Sequence, residues 1–278
     1  MDDKLRDMEK LKQFRKDIFI TGYKGGLAHL ASCYSCLEIL YALYLKGVMR
    51  YDPQNRDMED RDRLILSKGH GGLALYRILV EAGFLSMDEF HLYLQPGGHI
   101  GGEPCMRDVK GVEAATGSLG HGLSTGVGMA IVQKMDSLHA RTFVVLGDGE
   151  LEEGAVWEAV ISGAAFKLDN LTVILDCNGI QKMGTIVETI GIDNWREKWE
   201  SFGWQTSQVD GHDINALVDE LKQRNINDKP RIILAQTVKG KGVSIMENNP
   251  NWHFKLPGSK KEMRCFKEEL GITDAELE

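Results

Sequence analysis

The stretch from 143 to 178 constrains this chain more than any other. Phe143-Val144-Val145-Leu146 is an apolar run that stops at Gly147-Asp148-Gly149. A short acidic segment (Glu150, Glu152, Glu153) leads into a helix-like pattern over about 155–166. A second apolar run, Leu171-Thr172-Val173-Ile174-Leu175, then closes on Asp176-Cys177-Asn178-Gly179. Strand, loop, helix and strand in that order make a βαβ unit. In open parallel sheets ligands gather at the carboxyl ends of strands, so Asp148 and Asn178 are expected to face one crevice.

Those oxygens suit a divalent cation bound to a phosphate ester. Magnesium takes oxygen ligands in an octahedron and is usually held by one or two protein groups plus phosphate and water. Asp148 offers a carboxylate, Asn178 an amide oxygen, and the next turn the backbone carbonyl of Ile180. Gly147 and Gly149 let the backbone approach a pyrophosphate without a Cβ in the way. Alone, Gly-Asp-Gly reads as a tight turn and Asn-Gly as a cap or hairpin. Joined across one βαβ unit, they point to a cation–diphosphate site.

With Asn178 thirty positions after Asp148, this pair resembles the magnesium and thiamin diphosphate motif of thiamin-dependent enzymes. The surrounding text, GDGELEEGAVWEA and LDNLTVILDCNGIQ, resembles the first half of a transketolase. The resemblance covers nearly the whole chain. It implies an α/β, thiamin diphosphate-binding fold, a mostly parallel sheet with helices on both faces, in one diphosphate-binding domain over 1–278. It also implies bound thiamin diphosphate with Mg2+ (or Ca2+ or Mn2+), and transfer of a two-carbon ketol unit between sugar phosphates.

Composition sets the outer bounds. The chain has 278 residues, 42% apolar and 27% charged, enough for one large domain with a sizeable core. A net charge of −8 argues against a nucleic-acid partner, which needs a basic face. Five cysteines include one close pair, Cys33 and Cys36, with no second Cys/His pair of suitable spacing nearby, so both read as helix-packing thiols. No long apolar run indicates a membrane span, and the N-terminus does not read as a signal peptide; the expected location is the cytoplasm.

Along the chain, residues 3–22 show amphipathic helical spacing. A glycine-rich loop ends at His29, before a helix rich in Leu and Tyr. A short strand, Leu64 to Leu66, runs into Lys68-Gly69-His70-Gly71, a turn placed to meet a phosphate at a helix N-terminus. A loop at 95–105 carries His99. Thr116-Gly117-Ser118-Leu119-Gly120-His121 opens a long helix of small residues. Residues 181–195 read as a polar loop over the cofactor. Gly211-His212-Asp213 reads as a structural turn in which Asp213 caps a helix. The segments TVKGKGV (237–243) and Trp252-His253 follow.

The resemblance assigns roles to these positions. His70, Gly149 and His253 would contact the diphosphate, and Gly117, Ser118 and Leu119 would lie along the cofactor. His29, His99 and His253 would act on substrate. Glu153 would stand at a contact between subunits, in a hydrogen-bond relay to the other site. The sequence departs from the family at the loop of His29, at the loop of His99, at His121 and at Phe254, which stands where a glycine is expected. Transketolases also need a pyrimidine-binding domain downstream. The expectation is therefore a split enzyme, completed by a C-terminal partner subunit, that self-associates into a heterotetramer. A transketolase-like enzyme on a non-standard sugar, a deoxyxylulose phosphate synthase-like enzyme, and a non-catalytic diphosphate-binding regulator remain as alternatives.

Overall fold

The computed structural model describes residues 3–191 and 194–278. Three helices come first: α1 (Asp3–Lys24), α2 (Leu30–Ser35) and α3 (Leu37–Leu45). Strand β1 (Arg63–Leu66) leads into α4 (Gly72–Glu81) and α5 (Met87–His91). After a long loop come α6 (His121–Met135), β2 (Thr142–Gly147), α7 (Gly154–Ala165) and β3 (Leu171–Cys177). The hairpin β4 (Ile180–Gln181) and β5 (Gly184–Thr185) precedes α8 (Ile186–Ile190), α9 (Trp195–Ser201) and β6 (Gln205–Asp210). The chain ends with α10 (Ile214–Lys222), β7 (Arg231–Gln236), α11 (Lys260–Leu270) and α12 (Asp274–Leu277).

One sheet of five parallel strands, in the order β1-β2-β3-β7-β6, organises the fold. Every residue of β2 is buried, which is why its sequence is a continuous apolar run rather than an alternating one. Side chains still alternate between faces. Phe143 and Val145 join a core with α1–α4 and α11, whereas Val144 and Leu146 join a second core with α6, α7 and α9. The sheet thus has helices on both faces, and this is an α/β fold.

Local signals explain the helices. In α1 the apolar stripe Leu11, Phe14 and Ile18 is buried while the other face is charged. Helices α2 and α3 are buried on every side, as their near-continuous apolar sequence requires. Asp213 caps α10, accepting from the N–H groups of Asn215 and Ala216 at 3.0 and 3.1 Å. His212 is structural as expected. Its Nε2 accepts from the Val238 N–H at 2.8 Å and its Nδ1 lies 3.2 Å from Glu38.

Cys33 and Cys36 are free and buried, and burial pushes the Cys33 thiol up to about 11. Both are inert packing groups at neutral pH. Residues 181–195 depart from the expected loop. They hold the β4–β5 hairpin and α8, started by a capping box in which Thr185 accepts from Glu188 N–H and Glu188 from Thr185 N–H. Ile192 and Asp193 of that stretch lie outside the described residues. Among the described residues no helix is long and apolar enough to cross a membrane.

Candidate cofactor-binding site

Four neighbouring strands of the sheet end at one cleft. Lys68 follows β1, Asp148 follows β2, Asn178 follows β3, and Thr237 and Lys239 follow β7. Register makes the meeting unavoidable: Gly147 pairs with Asp176, so Asp148 and Asn178 leave the sheet at nearly the same level.

The floor is a buried ion pair. Lys68, 1% exposed, bonds the carboxylate of Asp176, which is 0% exposed. Ser35 donates to the same carboxylate at 2.6 Å, and Thr237 also donates to it. Burial alone would raise Asp176, but the Lys68 ammonium and these donors outweigh it and hold the carboxyl below its usual range. Burial likewise opposes the Lys68 charge, and Asp176 overcomes it. The pair is charged and locks β1 to β3 and to the loop after β7.

A second carboxylate ties the loops together. Glu150 accepts from Gly120 N–H at 2.8 Å, from Gly147 N–H at 3.1 Å and from the Ser67 hydroxyl. Close backbone contact completes the frame. A Cβ at Gly69 would lie 2.2 Å from the Thr116 carbonyl oxygen, so the turn carrying His70 fits only with glycine there.

On this floor stands the expected cation site. Asp148, 3% exposed, accepts from Gly149 N–H at 2.9 Å and from Gly179 N–H at 2.5 Å. Its carboxyl is pushed up to about 6, first by burial and then by the Asp176 charge. Asn178 Oδ1 accepts from Ile180 N–H at 3.2 Å. The Ile180 carbonyl accepts from the Lys239 ammonium at 2.8 Å. Lys239, 2% exposed, is drawn down to about 8 by burial and by the Lys68 charge. A buried cation already sits on the carbonyl that the sequence offers as a metal ligand. Among the described residues no cluster of three or more His, Cys, Asp or Glu side chains is arranged to hold an ion. The expected site contributes one carboxylate, one amide and one carbonyl, a set that suits a hard cation completed by phosphate oxygens and water.

Above it, His29, His70 and His253 form a triangle with ring centroids 5.4, 5.6 and 5.8 Å apart. Burial, then nearby lysine charges, lower His29 to about 4 and His253 to about 3, and hold His70 well below its ordinary value. All three imidazoles are therefore neutral near pH 7, each with one donor and one acceptor nitrogen. His253 Nδ1 is buried without a hydrogen-bond partner, an open valence for a ligand.

The cleft has a volume of about 290 Å3. His29, His70, Gly117, Leu119, Asp148, Gly149, Asn178, Ile180 and His253 all line it, so the structure brings these sequence-expected residues together. Ser118, exposed between Gly117 and Leu119, is not in the lining. Glu153 is also exposed and outside it, with its Cβ packed where a Cβ on Gly120 would fall. His99 lies apart as well: its side chain is 46% exposed and 4.0 Å from Glu89. The same loop instead sends Glu103 to the cleft. Sequence reading passed over Glu103, Lys68, Glu150, Asp176 and Lys239. Glycine neighbours at Lys68 and Lys239 were the available signal, because a lysine in a Gly-rich loop at a strand end is placed to meet an anion.

The geometry agrees with comparisons to known proteins. The transketolase thiamine diphosphate binding domain matches residues 19–277. The chain belongs to that family. Among its relatives is one of the two chains of an apulose-4-phosphate transketolase from Phocaeicola vulgatus, 38% identical over 255 residues, 91% of this chain and 90% of that protein. Another is a 6-deoxy-6-sulfo-D-fructose transketolase subunit of Clostridium sp., 38% identical over 225 residues, 81% of this chain and 82% of that protein. The transketolase structure from Campylobacter jejuni superposes with a TM-score of 0.83 at 28% identity. It covers 94% of this chain, which spans only 43% of that longer protein.

Proposed function

We propose that this chain binds thiamin diphosphate with a divalent cation and acts as the cofactor-anchoring subunit of a two-chain transketolase. The observation that carries the reading is the convergence of Asp148, Asn178 and the Ile180 carbonyl with three neutral imidazoles in one cleft. Asp148, Asn178 and Ile180 would hold Mg2+, or Ca2+ or Mn2+. His70, His253 and the Gly149 N–H would hold the diphosphate, with Gly117, Ser118 and Leu119 along the cofactor. Lys239, now on the Ile180 carbonyl, would turn to a phosphate oxygen once a metal takes its place.

Bound thiamin diphosphate supplies a stabilised carbanion able to break the bond beside a ketose carbonyl. The chain's own groups do the rest. The Lys68–Asp176 pair and Glu150 keep the strand-end loops from shifting, so the anchoring groups need no reorganisation. Neutral His29 and His253 can each give and take a proton at the substrate, which a protonated imidazole cannot. Their buried position also keeps bulk water from the reacting end.

The relatives that match this chain over most of their length are named as subunits, and single-chain transketolases are more than twice as long. This supports a partner chain that carries the pyrimidine-binding domain and the groups that hold the sugar's anionic end. Glu153, exposed and outside the cleft, would face that partner. The donor would be a ketose bearing phosphate, or sulfonate as in the name of one relative, and the acceptor an aldose.

Calorimetry with thiamin diphosphate and magnesium tests the reading, on the chain alone and on the chain mixed with its partner. Weak binding that becomes tight with the partner, together with ketol transfer, is expected. No binding in either case would refute it.

A further inference from the structure

Three carboxylates line the cleft, and two are committed to its frame. Asp148 is held by two backbone N–H groups, and Glu150 by two more and a hydroxyl. The third, Glu103, makes no hydrogen bond or ion pair among the described residues. Its backbone, by contrast, is fixed. Pro104 is buried and packs so closely on α4 that a Cβ at Gly72 would lie 2.9 Å from its ring. The Pro104 carbonyl accepts from Thr116 N–H at 3.2 Å. The Glu103 carboxylate comes down over the platform loop, where a Cβ on Gly117 would stand 3.0 Å from Oε2.

A rigidly mounted side chain with an unused charged end, placed in a binding cleft, is a recognition group. The cleft also has electrostatic polarity. Lys68 and Lys239 act on Asp148, at the end suited to a diphosphate. The Glu103 charge instead acts on Tyr76 and Tyr93, of α4 and the segment after α5. The anion-attracting end and the carboxylate end are therefore distinct.

We propose that Glu103 is a specificity-determining residue, whose carboxylate accepts hydrogen bonds from substrate hydroxyls and turns the substrate's anionic group away from the cleft floor. This deepens the ketose reading above and rests on it. A carboxylate takes two or more hydroxyl donors, as adjacent hydroxyls of an open-chain ketose present them. It repels a phosphate or sulfonate brought in the wrong way round, so the site rejects reversed binding as well as favouring the productive one. His99 of the same loop, pointing elsewhere, has no part in this contact.

The test uses the chain assembled with its partner and loaded with thiamin diphosphate and magnesium. Glu103→Gln keeps the size and one acceptor oxygen but removes the charge; Glu103→Asp keeps the charge on a shorter arm. The donor is xylulose 5-phosphate or fructose 6-phosphate, whichever the unaltered enzyme turns over. The expected result for Glu103→Gln is a donor KM raised about tenfold or more, the loss of a charge-assisted bond, with kcat changed less than about threefold. Glu103→Asp should recover part of the KM. Cofactor affinity by calorimetry should stay within about twofold in both variants.

An unchanged KM in Glu103→Gln overturns the inference while leaving the cofactor reading intact. So does a loss of cofactor binding, which would make Glu103 a structural group. Unaltered enzyme that neither binds thiamin diphosphate nor transfers a ketol unit would instead overturn the reading beneath it.

Discussion

Asp148→Asn isolates the most costly group in the cleft. Folding moves this carboxyl from its ordinary 3.8 to about 6, chiefly through burial and then through Asp176. A rise of about two units corresponds to roughly 3 kcal/mol between protonation states. The folded protein holds the Asp148 proton more tightly than the unfolded chain does. Its contribution to stability is therefore fullest below about 3.8 and is lost as pH rises through about 6. An amide is neutral at every pH and removes that dependence. It has only one acceptor oxygen, so either Gly149 N–H or Gly179 N–H loses its partner, at about 1–3 kcal/mol. Near pH 7 the two effects nearly cancel, and the variant should be about as stable as the unaltered chain. The difference lies in the slope. In urea denaturation without metal, the unaltered chain should lose roughly 3 kcal/mol more than the variant between pH 3.5 and pH 7.5. A cation reverses the preference, because it needs the carboxylate. Magnesium-dependent cofactor binding should tighten from pH 5 to pH 7 in the unaltered chain and be absent in the variant. Equal pH slopes, or unaltered cofactor affinity in Asp148→Asn, would refute the reasoning.

The other predictions test the frame and the cleft mouth. Lys68→Met leaves the Asp176 carboxylate buried with only hydroxyl donors, and should cost about 3–5 kcal/mol in chemical denaturation; a loss below 1 kcal/mol would mean the pair does not hold the sheet ends together. Gly69→Ala drives a Cβ into the Thr116 carbonyl, and should lower stability by about 1–3 kcal/mol, read as a fall in Tm. Phe254 is 50% exposed with its ring 4.4 Å from that of His29. Phe254→Ala should admit water and move the His29 titration up from about 4 toward 6.5, followed by NMR of the imidazole protons. An unmoved titration would show that burial from other sides and the lysine charges hold His29 down without help from Phe254.

The sheet was legible because a buried parallel strand leaves an unambiguous trace. Thr142–Gly147 and Leu171–Cys177 are apolar throughout, and each ends at a polar turn. Residues 181–195 were not, because α8 is a single turn and a short amphipathic helix has too few residues to show a period. Its capping box, Thr185-x-x-Glu188, was the one available signal. At the site, motif residues were readable where function rests on local spacing, as with Asp148 and Asn178. The supporting ion pair was not, since Lys68 and Asp176 are 108 positions apart and meet only through strand order. His99 drew attention over Glu103 because an imidazole suggests chemistry and a glutamate suggests solvent. Four positions along an irregular loop reverse which of them faces the cleft, and no periodicity marks that change.

The cleft thus divides its charged groups by task. Lys68, Asp176 and Glu150 have their polar partners within the protein, so a ligand gains little from them directly and finds a frame that does not need to move. Asp148 and Lys239 are ionised at a cost, each pulled toward neutrality by burial. A dication with a diphosphate relieves both, because it stabilises the carboxylate and gives the ammonium an anionic neighbour. Binding energy at this site therefore comes from charges left unbalanced in the free protein, and it should depend on both ligands together. Magnesium alone would leave Lys239 facing an added positive charge, and diphosphate alone would face Asp148. Titrating each ligand in the absence and presence of the other measures that coupling. Independent affinities would mean that the two buried charges do not share one site.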